Sequence, residues 1–246
     1  MTDELPPEPP PPPAPSVPGP AAPPPAPGAP QANPLRELLF ADLGPAETRA
    51  TFARGGAATA YLVALADAAE RRNADAARNL LAGGLVPPAE RETRAHLQAW
   101  HLSRLAGVDP GADAKDVLGV VVDVHLDEGL DSLAAFLDGS ARYLNHSGGG
   151  VVWETPDMAV GQLVRAVIGE AAIVVAMGAP LDGERPGPPP PGGTSIWVLT
   201  RGGIYLGTGP SAAISADPRG GPVMQAATEL LRHLVTRSSG GTASPG

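Results

Sequence analysis

The chain has 246 residues, a formal charge of −9 and 17 basic residues of which only Lys115 is a lysine; the clustered cations that hold phosphate backbones are missing, so no nucleic-acid partner is expected. It has no cysteine, which removes disulfides, thiolate metal sites and cysteine nucleophiles by inventory. The opening MTDELPPEPP lacks the positive and apolar regions of a secretory signal, and no apolar run approaches the ~20 residues of a membrane span.

A cytoplasmic protein is therefore the expectation. Abundant alanine, glycine, proline and arginine beside one lysine suggests a GC-rich bacterial genome.

Residues 1–34 hold 16 prolines and no lysine or arginine. Such a segment lacks the apolar side chains that would offset the entropy of ordering, and it reads as a disordered, proline-rich tail, a spacer or a polyproline docking segment. Residues 238–246 are small and polar and read as a second disordered tail. Between the tails some 200 residues remain, enough for a sizeable core.

Order is expected from Asn33-Pro34, where asparagine can cap and proline can occupy the first helical position. Leu35, Leu38, Leu39 and Leu43 then form one apolar stripe. Helices follow over 46–54 and 57–72, with Asn73 capping a short helix through Ala82 and Gly83-Gly84 ending it. The longest is expected from Pro88 to Ala106, burying Leu97, Trp100, Leu105 and the row Ala95, Ala99, Leu102, Ala106. Residues 35–107 thus form a small helical module that needs a neighbour, without the self-similarity of a helix-hairpin repeat.

Beyond Pro110 valine and isoleucine appear in runs. Val117–Leu126 reads as a strand with Leu118, Val120, Val122, Val124 and Leu126 toward the core, and Val117, Gly119, Val121, Asp123 and His125 on a solvated face. Asp138-Gly139 separates the strands 132–137 and 140–146 as a two-residue type I′ hairpin turn. A single helix over 129–144 is the competing reading, and Gly139 in its interior disfavours it by about 1 kcal/mol. Val151–Glu154 is a fourth strand, and Pro156-Asp157 opens a helix over 158–170.

Strands at 173–177, 195–200 and 203–208 and a helix over 223–237 complete the pattern, with a Pro/Gly loop at 179–194. The order ββββα then βββα suggests a weak duplication. The fold class is α+β: the helical module, then over 108–237 a mostly antiparallel twisted sheet covered on one face by two helices.

The densest polar stretch is Arg142-Tyr143-Leu144-Asn145-His146-Ser147, followed by three glycines. Strand alternation puts Tyr143, Asn145 and Ser147 on one face and Arg142, Leu144 and His146 on the other. A pocket with Tyr143 and Asn145 as lining and His146 as proton carrier would draw on Arg142, Asp123 and Glu154 as well. The plainer alternative is an edge strand ending in a glycine turn. A Ser-His pair is disfavoured because His146 and Ser147 point to opposite faces.

Asp123 and His125 are spaced for a carboxylate-held imidazole, but no further ligand motif completes a metal set, and no metal or other cofactor is expected. His96 and Trp100, four apart, can touch on the long helix. With no catalytic constellation complete, the functional expectation is a non-catalytic protein-binding or scaffolding protein. It would meet another protein, or itself, through the α+β domain or the helical module. The alternative is an enzyme or small-ligand binder with its polar site around Arg142–Ser147.

Overall fold

A computed structural model describes residues 34–55, 57–82, 93–154 and 157–240. The expectations for 1–33, for the glycine stop at 83–84, for the first turn at 88–92 and for 241–246 fall outside these residues.

The strands β1 (Val117–Leu126), β2 (Gly129–Phe136), β3 (Ala141–Leu144), β4 (Gly150–Trp153), β5 (Gly193–Thr200) and β6 (Gly203–Pro210) make one antiparallel sheet in the order β4-β3-β2-β1-β5-β6. Around it lie α1 (Pro45–Phe52), α2 (Ala57–Glu70), α3 (Ala74–Ala82), α4 (Thr93–Leu105), α5 (Met158–Met177), α6 (Ser211–Ala216) and α7 (Gly220–Gly240). The class is α+β, and α5 with α7 covers one face of the sheet. Val160, Val164, Val167, Ala171, Val175, Val223, Leu230 and Leu234 pack there on Val120, Val122, Ile196 and Val198.

The other face of the sheet is also covered. Leu39, Phe40 and Leu97 pack on Val121, Ala134, Phe136, Trp197 and Leu199, while α2, α3 and α4 share a further cluster around Leu62, Leu65, Ala77 and Leu102. Two-sided burial is what the valine run of β1 allows, since a strand covered on both faces needs no polar alternation.

The strand face carrying Asp123 is therefore not solvated, and Asp123 is 0% exposed. A shift in register between Val117 and Gly119 also moves Leu118 into the cluster with Val121 rather than with Val120. At Gly119 a Cβ would lie 2.9 Å from the Phe136 ring, so a side chain is excluded where that ring crosses the strand.

Five local expectations are corrected. Residues 173–177 continue α5 instead of forming a strand: Ile173, Val174 and Val175 favour strands by propensity, but Val164, Val167, Ala171 and Val175 keep helical spacing against the sheet, and burial decides. The second half of the sheet consequently contributes two strands followed by two helices, which removes the duplication.

Residues 34–39 form a 3-10 helix, which places residues three apart on one line. Arg36 and Leu39 are buried while Leu35 and Leu38 face outward. Ser238–Gly240 belong to α7 and not to a tail. Leu105 of the long helix is exposed.

The hairpin at Asp138-Gly139 is present, but only Gly139 has positive φ, at 87°. Gly139 N–H donates to Phe136 O at 2.8 Å and Phe136 N–H to Ser140 O at 3.0 Å, the pattern of a type I turn ending in a glycine bulge rather than type I′.

One buried ion pair fastens the helical layer to the sheet. Arg36 Nε donates to the two Asp123 oxygens at 3.2 and 3.1 Å, joined by Arg36 Nη2, by Ser132 Oγ at 2.6 Å and by Trp197 Nε1 at 2.8 Å. The Arg36→Ala variant strands a carboxylate at the sheet centre, and unfolding in urea should show a loss of about 3–5 kcal/mol. A loss under about 1 kcal/mol would mean that water relieves the charge.

Candidate functional site

The β2–β3 hairpin pairs Leu133 with Tyr143 and Ser132 with Leu144. This register sets Asp131 diagonally across from Tyr143, within reach of a long side chain. Tyr143 Oη donates to Asp131 Oδ2 at 2.6 Å. β3 ends at Leu144, and a turn closes beyond it through Asn145 N–H to Gly149 O and Gly148 N–H to Asn145 O. The turn swings His146 back, so that its backbone N–H and its Nδ1 each lie 3.0 Å from Asp131 Oδ1.

His146 therefore joins the carboxylate that Tyr143 uses and does not follow Arg142, because strand alternation stops two residues earlier. About a third of the His146 side chain is exposed, and Asp131 is more sheltered.

The other candidate residues lie apart from this group. Arg142 is buried, lies over the Phe136 ring and pairs with Glu154 across the β3–β4 ladder. Arg94 on α4 faces it, and burial first, then the Arg142 charge, lower Arg94 to about 10. Asn145 Oδ1 accepts from Ser147 Oγ at 2.9 Å within the turn. Asp123 is held in the core as described. His125 Nδ1 meets Pro189 O at 2.7 Å, so the Asp123–His125 spacing does not become a carboxylate–imidazole pair. Among the described residues no group of three or more His, Asp or Glu side chains could hold a metal ion.

Asp131 is the residue that sequence reasoning missed. The signal was partial: a two-residue turn at Asp138-Gly139 sets residue 131 opposite His146, whereas the bulged turn shifts the register so that residue 131 falls opposite residue 145 and diagonal to Tyr143. What the group can do chemically is limited and definite: one carboxylate accepts from a phenol and orients an imidazole, whose Nδ1–H it can bind.

A concavity of about 840 Å³ lies on the side of the sheet that carries the helical layer, lined by Glu37, Asp42, His101, Arg104, Leu181 and Arg185 among others. The 178–192 connection closes one side. Leu181 N–H donates to Ile204 O at 2.7 Å. Arg185 lies 3.6 Å over the Phe40 ring and donates to Asp42 at 2.7 Å and to Glu37 at 2.6 Å. The Pro/Gly loop is thus pinned by Arg185, by the Leu181 backbone bond and, at its far end, by the contacts of Pro189 and Gly192 with His125. None of Arg142, Tyr143, Asn145 or His146 lines this groove.

No protein-family model, curated protein or solved structure matches the chain.

Two titrations test these surroundings. Burial, the hydrogen bond to Asp131 and that carboxylate's charge together hold the Tyr143 phenol well above the ordinary tyrosine range. Asp131→Asn removes the charge and should bring one of the three tyrosines into ionisation at lower pH in ultraviolet titration. An unchanged curve would show that the carboxylate does not reach the phenol.

Burial, then the Arg104 guanidinium, depress His101 from 6.5 to about 4, with Asp42 opposing them. The unfolded chain takes up this proton before the folded one, so the stability that His101 contributes is complete above pH 6.5 and falls as the pH drops toward 4. His101→Gln should remove a decline on the order of 2 kcal/mol between pH 7 and pH 4, read from urea curves at both pH values.

Proposed function

We propose that the chain is a non-catalytic protein-binding protein that docks through its α+β part, chiefly through the outer face of α5. One observation carries this. α5 departs from the expectation that no stretch approaches a membrane span: by length and composition it is long and apolar enough to cross one, yet only 39% of its most apolar window is buried within the fold. Its outward residues include Met158 at 79% exposure, Met177 at 72% and Ile173 at 47%.

A helix this apolar is normally enclosed on most sides; this one is enclosed on one, with Gln162 and Arg165 the exposed polar residues of its outer side. Exposed apolar surface of this kind is what partner binding covers. The arrangement of the polar candidates supports the same reading. Asp123 is occupied by three side-chain partners, Arg142 pairs with Glu154 and Asn145 closes its own turn.

A second reading, a small-ligand or enzymatic site, draws on the Asp131–His146 contact beside a partly exposed imidazole. It calls for saturable binding of a small polar ligand that Asp131→Asn abolishes.

For the docking reading, Ile173→Asp leaves the buried face of α5 untouched, so thermal stability should stay within about 0.5 kcal/mol of wild type. Association, read by light scattering after size exclusion and by pull-down, should be lost. A wild-type chain that stays strictly monomeric and retrieves nothing would overturn the reading.

A further inference from the structure

Along α5 two apolar faces can be separated by position. Val160, Val164, Val167, Ile168, Ala171 and Val175 point into the fold. Opposite them run Gln162, Ala166, Gly169, Ile173 and Ala176, all exposed, at spacings of four, three, four and three. That is the alternation of the a and d positions of a heptad, with Ala166 and Ile173 at a and Gln162, Gly169 and Ala176 at d. The seam lies on the side of α5 opposite its buried face, with Lys115 Nζ reaching the Ala176 carbonyl at its C-terminal end.

The flanking charges choose the occupant. In this register Arg165 falls at g and Glu170 at e, one on each side of the seam. Between two parallel, in-register copies, Arg165 of each faces Glu170 of the other, five residues on, so the seam is bordered by two opposite-charge pairs. An antiparallel pairing sets g against g and e against e, which puts like charges together. Flanking charges of this kind set partner and orientation in helix pairs. The small residues Ala166, Gly169 and Ala176 permit approach near the close end of the usual 8–10 Å range, and Ile173 and the flanking Met158 and Met177 supply the apolar area.

We infer that the outer face of α5 binds a second copy of this chain as a parallel, two-fold symmetric helix pair. This rests on the docking reading above and names its partner. The arrangement is isologous, the same patch meeting itself, as closed dimers require.

The chain has no cysteine, so single cysteines report the register without background. Gln162→Cys and Ala176→Cys, each alone and mildly oxidised, should give disulfide-linked dimers, while Thr228→Cys on the outer side of α7 should not. Cross-linking only when the Gln162→Cys and Ala176→Cys chains are mixed would show antiparallel helices and overturn the proposal.

Arg165→Glu and Glu170→Arg should each weaken the dimer about tenfold, and the double exchange should restore it. Restoration also excludes misfolding as the cause of the single-variant losses. A wild-type monomer at every concentration would overturn the dimer; a protein then captured by wild type but not by Ile173→Asp would leave the wider docking reading standing. Flotation with phosphatidylglycerol vesicles in place of a soluble dimer would overturn it in favour of a lipid surface.

Discussion

The contact between Arg36 and Asp123 is what the rest of the molecule depends on. A carboxylate at the centre of a sheet is tolerated only when its charge is matched and its lone pairs are filled. The match comes from a residue 87 positions earlier in the chain. Around it Phe40 and Trp197 meet edge to face, with centroids 5.4 Å apart, and Arg36 lies 4.9 Å from the Phe40 ring. Charge alternates outward from there: Arg36 also binds Glu37, Glu37 binds Arg185, and Arg185 binds Asp42. The short 3-10 segment, the sheet and the connection after α5 are thus joined through one run of ionic contacts.

That fastening determines which surfaces remain for partners. With the helical layer held on one face of the sheet, α5 and α7, with Ile214 of the short α6, cover the other, and the two long helices meet solvent on their outer sides. α7 turns Gln225, Thr228, Glu229 and Arg232 outward. α5 turns Met158, Ala166, Gly169, Ile173, Ala176 and Met177 outward beside Gln162 and Arg165, so the outer face of α5 is the more apolar of the two.

Much of the architecture was legible in the sequence. The Asp138-Gly139 hairpin, the strand run 117–126, the pair across Arg201-Gly202 and the caps at Asn73 and Asp157 all follow from local chemistry, and the structure contains each of them. What escaped was nonlocal. No short window reveals that Arg36, in a leucine-rich turn, belongs to the middle of β1, or that a strand face bearing Asp123 and His125 is roofed by helices. The Ile173–Met177 misreading has the same origin, since a β-branched run is ambiguous until the surface it packs against is known.

The polar cluster divides along the same line. Tyr143 and His146 stand out by residue type, but strand alternation sets them on opposite faces. Their meeting at Asp131 comes from the turn beyond Leu144, which ends that alternation.

Asp138 makes contacts on both sides of a layer boundary. While shaping the turn through Ser140, it accepts from Thr93 N–H at 2.7 Å, and its own N–H donates to Thr93 Oγ1 at 3.1 Å. A residue of the β2–β3 turn thereby binds the backbone N–H of the first described residue of α4. One oxygen of a single carboxylate shapes the bend between two strands and the other holds a helix forty-five positions away, so the two are joined only once the layers have met.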